Sequence, residues 1–404
     1  MTVQKNYASQ WWATVYVAGV SLAITFLLGR LFGPGTFGTY SYIVTVGALL
    51  GILQDGGFKT LINREQASPS LDLSPEQLFA RALGHLLTTT SLAAMVILLL
   101  SFEHQKALLL ALFSFGLGAA TNFISSFKKG TGHFVEEAWW RFRIRTITAI
   151  AVVLSVWLWE PTVEGVLIAW SVGQLLVLLS QREFSLTRIS FFGKDNKVFK
   201  SVLALLIIDI ATLIYFKIDI IMLMHLQDSK DAVGFYSASS RIIEGVILLL
   251  FPFANVFFRD FRLAWQEHGE FKKLLRVWLM RAGICASLVV PLAWMLAEPV
   301  LTLCFGESFT QGEQILRFLL LALFFIIPNL VLTQGVLALN REVFYAKIAC
   351  LAAVLNIGLN WALIPRLGPE GAALGTGITE AFLFGVFLWN MMRWLKTKPG
   401  DSHG

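Results

Sequence analysis

Five ionisable residues interrupt two neighbouring apolar segments in the second half of the chain. They are Asp209, Lys217, Asp219, Arg241 and Glu244. A charge at the centre of a lipid bilayer costs about 2.5–3.5 kcal/mol on insertion scales, so each one requires a partner or a polar surface. Counted from the connection between the two segments, Lys217 and Arg241 come at similar depth, where two cations would attract an anion. We therefore predict an anion-attracting cavity lined by these residues, with a buried structural network as the alternative.

Polar side chains also occur in other apolar segments. Asp55 and Lys59 are four residues apart, which favours an ion pair within one helix. Glu380 lies near the middle of the last segment, where it could carry a proton or bond to another helix. Asn356 and Asn360 are one turn apart, so they could line one face of the cavity or join two helices by hydrogen bonds.

The residue types that carry enzymatic and metal chemistry are scattered. No pair of the six histidines has the spacing of metal ligands, and the three cysteines lie in or beside apolar segments. No nucleophile, base and orienting group form a recognisable set. We therefore predict no catalytic residue, no metal site and no cofactor, and we predict that the protein is not an enzyme.

The composition indicates what kind of element must position these side chains. Of the 404 residues 56% are hydrophobic and only 14% are charged, and the mean hydropathy is +0.69. An ordinary soluble domain carries about 25% charged residues, so a soluble enzyme is excluded. The apolar residues form solid runs rather than alternating ones, and a spanning helix needs about 20 such residues. The composition therefore predicts an all-α polytopic membrane protein.

Twelve apolar segments are long enough to be counted as membrane-spanning helices. They cover residues 9–31, 39–62, 79–101, 105–127, 139–159, 163–181, 200–226, 233–256, 275–297, 313–338, 343–364 and 369–394. Roughly three quarters of the 32 Lys and Arg residues then fall on the side that holds both termini. We therefore predict a multi-pass protein of the inner membrane with both termini in the cytoplasm, and we attribute the net charge of +6 to topology rather than to nucleic-acid binding.

Two short matches indicate that the chain is a duplication of six helices. In the first, GTYS at 38–41 follows the first segment and GFYS at 234–237 follows the seventh. In the second, EG at 164–165 stands at the start of the sixth segment and EG at 370–371 at the start of the twelfth. Each half contains an even number of spans, so the repeats are parallel, which predicts two lobes around a central cavity. The predicted domains are residues 1–181 for the first lobe, 182–199 for a basic and aromatic linker, 200–395 for the second lobe and 396–404 for a tail.

Several motifs, taken in order, resemble those of a known family. They are RLFGPGTFGTY at 30–40, DGG at 55–57, KID at 217–219, VGFYSASSR at 233–241, NIGLN at 356–360 and GPEGAA at 368–373. This series is similar to the polysaccharide-biosynthesis flippases, which export O-antigen and other lipid-linked oligosaccharides within the multidrug, oligosaccharidyl-lipid and polysaccharide exporter superfamily. The resemblance implies two six-helix lobes around a cationic lumen.

The resemblance also implies a cargo and partners. The cargo would be an oligosaccharide linked by a diphosphate to a lipid, carried from the cytoplasmic to the outer leaflet. The lumen cations would be Lys217 and Arg241, with Arg30 and Lys59 as further candidates. The other expected partners are membrane lipids and the polymerase and glycosyltransferases of the same pathway, and the protein is expected to be a monomer.

Two other functions remain open at this point. A drug or small-molecule cation antiporter of the same superfamily would carry more lone carboxylates than cations in its lobes. A membrane oligosaccharide polymerase or glycosyltransferase would usually carry a large outer loop with catalytic acids or arginines, whereas the predicted outer loops here are short.

Overall fold

The structure is a computed structural model that describes residues 2–69, 71, 73–181, 189–190, 196–266 and 270–395. Within these ranges the regular structure is helical. In chain order the α-helices are α1 (Thr2–Asp55), α2 (Phe58–Ala67), α3 (Pro75–Leu99), α4 (Gln105–Gly130), α5 (Phe134–Leu158), α6 (Val163–Leu179), α7 (Asn196–Leu226), α8 (Lys230–Gln266), α9 (Glu270–Met295), α10 (Ala297–Phe305), α11 (Glu313–Ala338), α12 (Glu342–Leu367) and α13 (Pro369–Trp394), with a 3-10 helix at Glu307–Gly312.

The twelve predicted spans fall on these helices, although the second, residues 39–62, runs from α1 into α2. Among the described residues nine helical stretches are long and apolar enough to cross a membrane, and α1 holds the first predicted span and most of the second. The predicted fifth and sixth spans correspond to α5 and α6; α6 is apolar but has only 17 residues. The prediction of an all-α polytopic membrane protein is confirmed.

Local sequence signals explain where several helices begin and break. Ser74 starts α3 with a capping box, in which its hydroxyl accepts from the Gln77 amide at 3.3 Å and the Gln77 side chain accepts from the Ser74 amide at 2.9 Å. Gly33 breaks α1 with φ 68°, a conformation that favours glycine. The residues between the first two predicted spans, 33–38, therefore form a break at Gly33 rather than a loop, because the helix resumes directly after Gly33.

The second predicted span, residues 39–62, is also interrupted. Gly56 and Gly57 adopt φ 59° and 85° and separate α1 from α2. A side chain at Gly57 would collide with α7, because its Cβ would lie 2.7 Å from Leu205 Cβ. Glycine is thus required here both by the left-handed backbone and by the close approach of another helix.

The chain divides into two compact units. The first comprises Met1–Phe32 and Thr39–Ile214, and the second comprises Gly33–Gly38 and Tyr215–Gly404. The division falls inside α7, whereas the predicted linker was residues 182–199. Most of that linker and the predicted tail 396–404 lie outside the described residues, so the predicted domain boundaries remain a prediction.

The first unit is organised around α4. Helices α2, α3, α5 and α6 pack against it, and α5 also packs along α6. Phe58, Phe123 and Trp140 are fully buried in the core, and the Trp140 indole donates a hydrogen bond of 3.1 Å to the carbonyl of Thr121. Large aromatic side chains thus fill the space between short apolar helices.

The second unit is organised around α11. Helices α8, α9 and α13 pack on it, and α12 packs on α13. The unit also contains a cluster of three buried rings, in which Phe37 lies 5.5 Å from Phe305 and 5.8 Å from Phe309 between ring centroids. This arrangement makes α11 the central helix and places the charged segments of α7 and α8 in the same unit.

Candidate functional site

The two predicted cations of the second unit share one carboxylate. Lys217 on α7 forms an ion pair with Glu244 Oε1, and Arg241 Nη1 donates to Glu244 Oε2 at 2.9 Å. The side chains are neither buried nor fully exposed, at 18% for Lys217, 23% for Arg241 and 38% for Glu244. Two cations and one anion leave a net positive charge, and the partial exposure allows a ligand to reach it.

Asp219, two residues after Lys217, belongs to a different environment. Its side chain is buried and accepts hydrogen bonds from the Tyr236 hydroxyl and, at 2.9 Å, from the Ile220 amide. Tyr236 on α8 is itself buried. Asp219 therefore links α7 to α8 through Tyr236 and, among these described residues, forms no ion pair with Lys217 or Arg241.

Glu380 is buried among neutral hydrogen-bond donors. Tyr215 on α7 donates to Glu380 Oε1 at 2.5 Å, and Asn329 on α11 donates to Oε2 at 2.8 Å and to the Glu380 carbonyl at 3.0 Å. No ion pair of Glu380 is present in the described part of the chain. The side chain thus combines two features expected of a proton carrier, burial and the lack of a fixed countercharge.

Asn356 and Asn360 bond to each other inside the second unit. Asn360 Nδ2 donates to Asn356 Oδ1 at 3.0 Å, and both side chains are buried. A Cβ at Gly375 on α13 would lie 2.9 Å from Asn360 Oδ1, so the two helices approach closely here. The hydrogen bond therefore lies within α12 and does not join two helices, while the close approach to α13 is made at the small residue Gly375.

In the first unit, Lys59 lies between two carboxylates. Its Nζ is 2.8 Å from Asp209 Oδ2 on α7 and 3.9 Å from Asp55 Oδ2. Asp55 and Lys59 do not lie on one continuous helix as predicted, because Gly56 and Gly57 separate α1 from α2. Asp55 instead accepts from the amides of Gly57 and Lys59, each at 3.2 Å, and thereby caps α2. Lys59 is therefore matched by two negative charges.

Arg30 is exposed near the break at Gly33 in α1. The candidates implied by the resemblance therefore differ in surroundings. Lys217 and Arg241 form a net positive group, Lys59 is balanced by acids, and Arg30 stands on the surface of its own unit.

A cation inside the first unit, Arg145, is not among the predicted site residues. Arg145 lies near the middle of α5 and is only partly exposed, yet no described carboxylate forms an ion pair with it. The predicted fifth span starts at residue 139, which places Arg145 close to the span end together with Arg141 and Arg143. The signal that could have found it is its depth, since α5 begins already at Phe134 and places Arg145 well inside the helix.

A second missed feature is the network of Glu137. This carboxylate is fully buried, and it pairs with Lys129 at 3.3 Å and with Arg141 at 3.2 Å. Gln10 on α1 donates to it at 2.6 Å and Ser125 on α4 at 2.5 Å. The network joins α1, α4 and α5, so its role is structural.

We expect Glu137→Gln to lower the stability of the protein by about 2 kcal/mol. The change leaves Lys129 and Arg141 without their shared anion, and such charges are costly when partly buried. The melting temperature of the purified protein measures this loss. The control is Glu136→Gln, because Glu136 is exposed, pairs with Lys128 at 3.4 Å and should contribute under about 1 kcal/mol. Equal melting temperatures for the two variants would contradict this role of Glu137.

Within the described ranges, no three His, Cys, Asp or Glu side chains come together as a metal site. The charged groups can instead attract an anion in the second unit, at Lys217 and Arg241, and in the first unit, at Arg145. Glu380 can hold a proton between two neutral donors.

Comparison with protein families gives one match that covers more than half of the chain. Residues 3–258 match the family described as "Polysaccharide biosynthesis protein". No curated protein matches the chain.

Solved structures share the fold at low sequence identity. An inward-facing multidrug resistance MATE family transporter of the MOP superfamily has a TM-score of 0.70 and 15% identity, and the match covers 95% of this chain and 96% of that one. The lipid II flippase MurJ in an inward closed conformation also has a TM-score of 0.70, with 16% identity and coverage of 96% and 88%. A MATE transporter of Vibrio cholerae has a TM-score of 0.57, 14% identity and coverage of 98% and 99%.

Proposed function

We propose that this chain, which belongs to the polysaccharide biosynthesis protein family, is a flippase for a lipid-linked oligosaccharide. The cargo carries a diphosphate link and moves by alternating access from the cytoplasmic to the outer leaflet, where it supplies surface polysaccharide of the O-antigen type. The observation that supports this most is the group of Lys217 and Arg241, two cations that share only Glu244 within apolar helices.

The physical argument concerns the diphosphate, which is the costly part of the cargo to carry through a bilayer. Fixed cations compensate for the water that the phosphates lose, and charge-assisted hydrogen bonds from Arg and Lys are the strongest kind available. An inside-negative membrane potential favours the outward movement of two negative charges by roughly 4.6 kcal/mol per 100 mV. The membrane potential can therefore drive the step, alone or together with an ion gradient.

The same proposal also specifies the location, the oligomeric state and the pathway partners of the protein. It lies in the inner membrane with both termini in the cytoplasm, acts as a monomer and receives its cargo from membrane-bound glycosyltransferases. A polymerase of the same pathway consumes the cargo on the outer side.

A second candidate is an antiporter for a cationic drug or small molecule. The buried Glu380 favours it, because a carboxylate without a fixed cation could bind either a proton or an organic cation. The structural similarity to MATE transporters and to MurJ is equal, so the fold does not separate the two candidates. The polymerase or glycosyltransferase alternative has no supporting group among the described residues.

Deletion and complementation separate the candidates. We expect a deletion strain to lose surface polysaccharide and to accumulate lipid-linked oligosaccharide on the cytoplasmic leaflet, with both effects reversed by the full-length gene. Unchanged surface polysaccharide together with increased sensitivity to cationic drugs would contradict the flippase and support the antiporter.

We expect Glu380→Gln to remove the dependence of transport on a proton gradient. Glutamine still fits between Tyr215 and Asn329 but cannot bind and release a proton, so coupling is lost while folding is largely kept. The measurement is transport into vesicles with and without an imposed pH gradient. Glu370→Gln, at the first turn of the same helix, is the control and should respond like the unmodified protein. An unaltered response of the Glu380 variant would show that this residue carries no proton.

A further inference from the structure

A groove of about 460 Å³ lies within the second unit, away from the charged group of α7 and α8. It is formed where α9 and α13 both pack on α11 but hardly touch each other. Its volume falls in the range of roughly 300–1,000 Å³ that is typical of small-molecule sites. The groove is therefore large enough to hold a ligand or part of one.

The walls of the groove are apolar stripes at helical spacing. Leu275 and Leu279 contribute from α9, four residues apart, and Phe384, Leu388 and Met392 contribute at the same spacing from α13. Pro328 forms part of the floor on α11 and cannot donate a backbone hydrogen bond. These apolar residues of the walls and floor suit a hydrocarbon chain.

Helices α9, α11 and α13 pack closely near one end of the groove. A Cβ at Gly335 on α11 would lie 3.1 Å from Met391 Cε, 3.7 Å from Phe271 Cζ and 3.8 Å from Leu275 Cδ1. The first turn of α9 and the last turn of α13 meet α11 at this point. The groove is open to its surroundings, because Met280 and Met392 on opposite walls are 55% and 49% exposed.

Two cations lie on the α9 wall of the groove, near this closely packed region. Lys272 and Arg276 are four residues apart on one face of α9, and both line the groove. Neither forms an ion pair with a carboxylate in the described part of the chain, whereas the adjacent Lys273 lies 4.0 Å from Glu270. An apolar trough with unneutralised cations at one end is complementary to a lipid with an anionic head group.

We infer that this groove binds an anionic phospholipid, with one acyl chain between α9 and α13 and the head-group phosphate on Lys272 and Arg276. A phospholipid fits better than the polyprenyl carrier, because a groove of about 460 Å³ is small for a long polyprenyl chain. The bound chain fills a gap between two helices that both pack on α11 but have little contact with each other. Its binding therefore stabilises the folded protein in proportion to lipid concentration.

The test uses the purified full-length protein in detergent, to which phosphatidylglycerol, phosphatidylcholine or inorganic phosphate is added. Native mass spectrometry counts retained lipids, and the melting temperature reports stabilisation. We expect phosphatidylglycerol to be retained and to raise the melting temperature more than phosphatidylcholine does. The double variant Lys272→Gln with Arg276→Gln should weaken this binding roughly 30-fold, from about fivefold per cation.

The control variant combines Lys273→Gln with Arg393→Gln, which removes the same charge near the same helix ends but from residues that do not line the groove. It should bind phosphatidylglycerol like the unmodified protein. The variant Met280→Trp with Met392→Trp, at exposed positions, should reduce retention by filling the groove while leaving the cations in place.

Three results would overturn the inference. Equal retention in the Lys272 and Arg276 variant and in its control would show that binding depends on general charge. Equal stabilisation by inorganic phosphate would show that the groove takes no chain. Displacement of phosphatidylglycerol by a polyprenyl diphosphate, with loss of both in the tryptophan variant, would assign the groove to the carrier lipid.

Discussion

Transport of the glycan lipid should be abolished by Arg241→Gln or Lys217→Gln and preserved by Glu244→Gln. The three side chains form one group in the structure, with Glu244 bound to both cations. Removing either cation leaves a neutral pair that no longer attracts a diphosphate. Removing the carboxylate instead releases both cations for the cargo. Surface polysaccharide, normalised to the amount of protein in the membrane, measures the effect.

The size of the expected loss follows from the contacts that each cation would make. A hydrogen bond to a charged group contributes about 1.5–3 kcal/mol, which corresponds to roughly 10- to 150-fold in binding of the cargo. The opposite outcomes for cation and carboxylate are the informative feature. A merely structural group would be damaged by all three substitutions alike, because each removes one partner from the same network.

Arg317→Gln serves as the matched control. Arg317 pairs with Glu313 four residues away at 2.5 Å on α11, so its replacement also breaks an ion pair in the second unit. We expect this variant to support normal surface polysaccharide. The assignment of Lys217 and Arg241 would be contradicted if their variants behaved like Arg317→Gln, or if Glu244→Gln lost transport as completely as Arg241→Gln.

The second large effect is expected at Arg145. Arg145→Gln should abolish transport while leaving the melting temperature unchanged or higher. The residue lies inside α5 without a described carboxylate partner, so the folded protein gains little from its charge and carries the cost of burying it. A residue that costs stability and is nevertheless present at that depth is best explained by binding of an anion.

Arg143→Gln is the control for Arg145. Arg143 is exposed on the same helix, with its guanidinium 5.6 Å from the centre of the Trp140 ring. Its replacement should affect neither transport nor stability by more than about 1 kcal/mol. If Arg145→Gln transported normally, or if it unfolded the protein, then Arg145 would not belong to the path of the cargo.

The helices were predictable because their signals are local. Apolar runs of about 20 residues end at Gly, Pro and charged connections, and a capping box such as that of Ser74 needs only four residues. The break at Gly56 and Gly57 was missed, although both glycines are visible in the sequence. Its cause is the close approach of α7 at Leu205, which is a tertiary contact.

The partners of the charged residues could not be predicted, because they come from distant segments. Lys217 meets Glu244 and Glu380 meets Tyr215 and Asn329, which places residues from three helices around one carboxylate. A spacing of three residues brings the side chains of Arg241 and Glu244 to one face of α8, where they are in contact. The predicted ion pair of Asp55 and Lys59 does form, at 3.9 Å, but across a break between two helices that the spacing alone does not reveal.

The most direct test of the proposed function is a flipping assay with the purified full-length protein in liposomes. A polyprenyl-diphosphate oligosaccharide is placed in both leaflets, and a membrane-impermeant oxidant measures how much becomes accessible once an electrical potential is imposed. We predict transfer toward the positive side for the unmodified protein and for Glu244→Gln, and none for Arg241→Gln. Transfer that is absent in all three, or equal in all three, would contradict the role of the cations in moving this cargo.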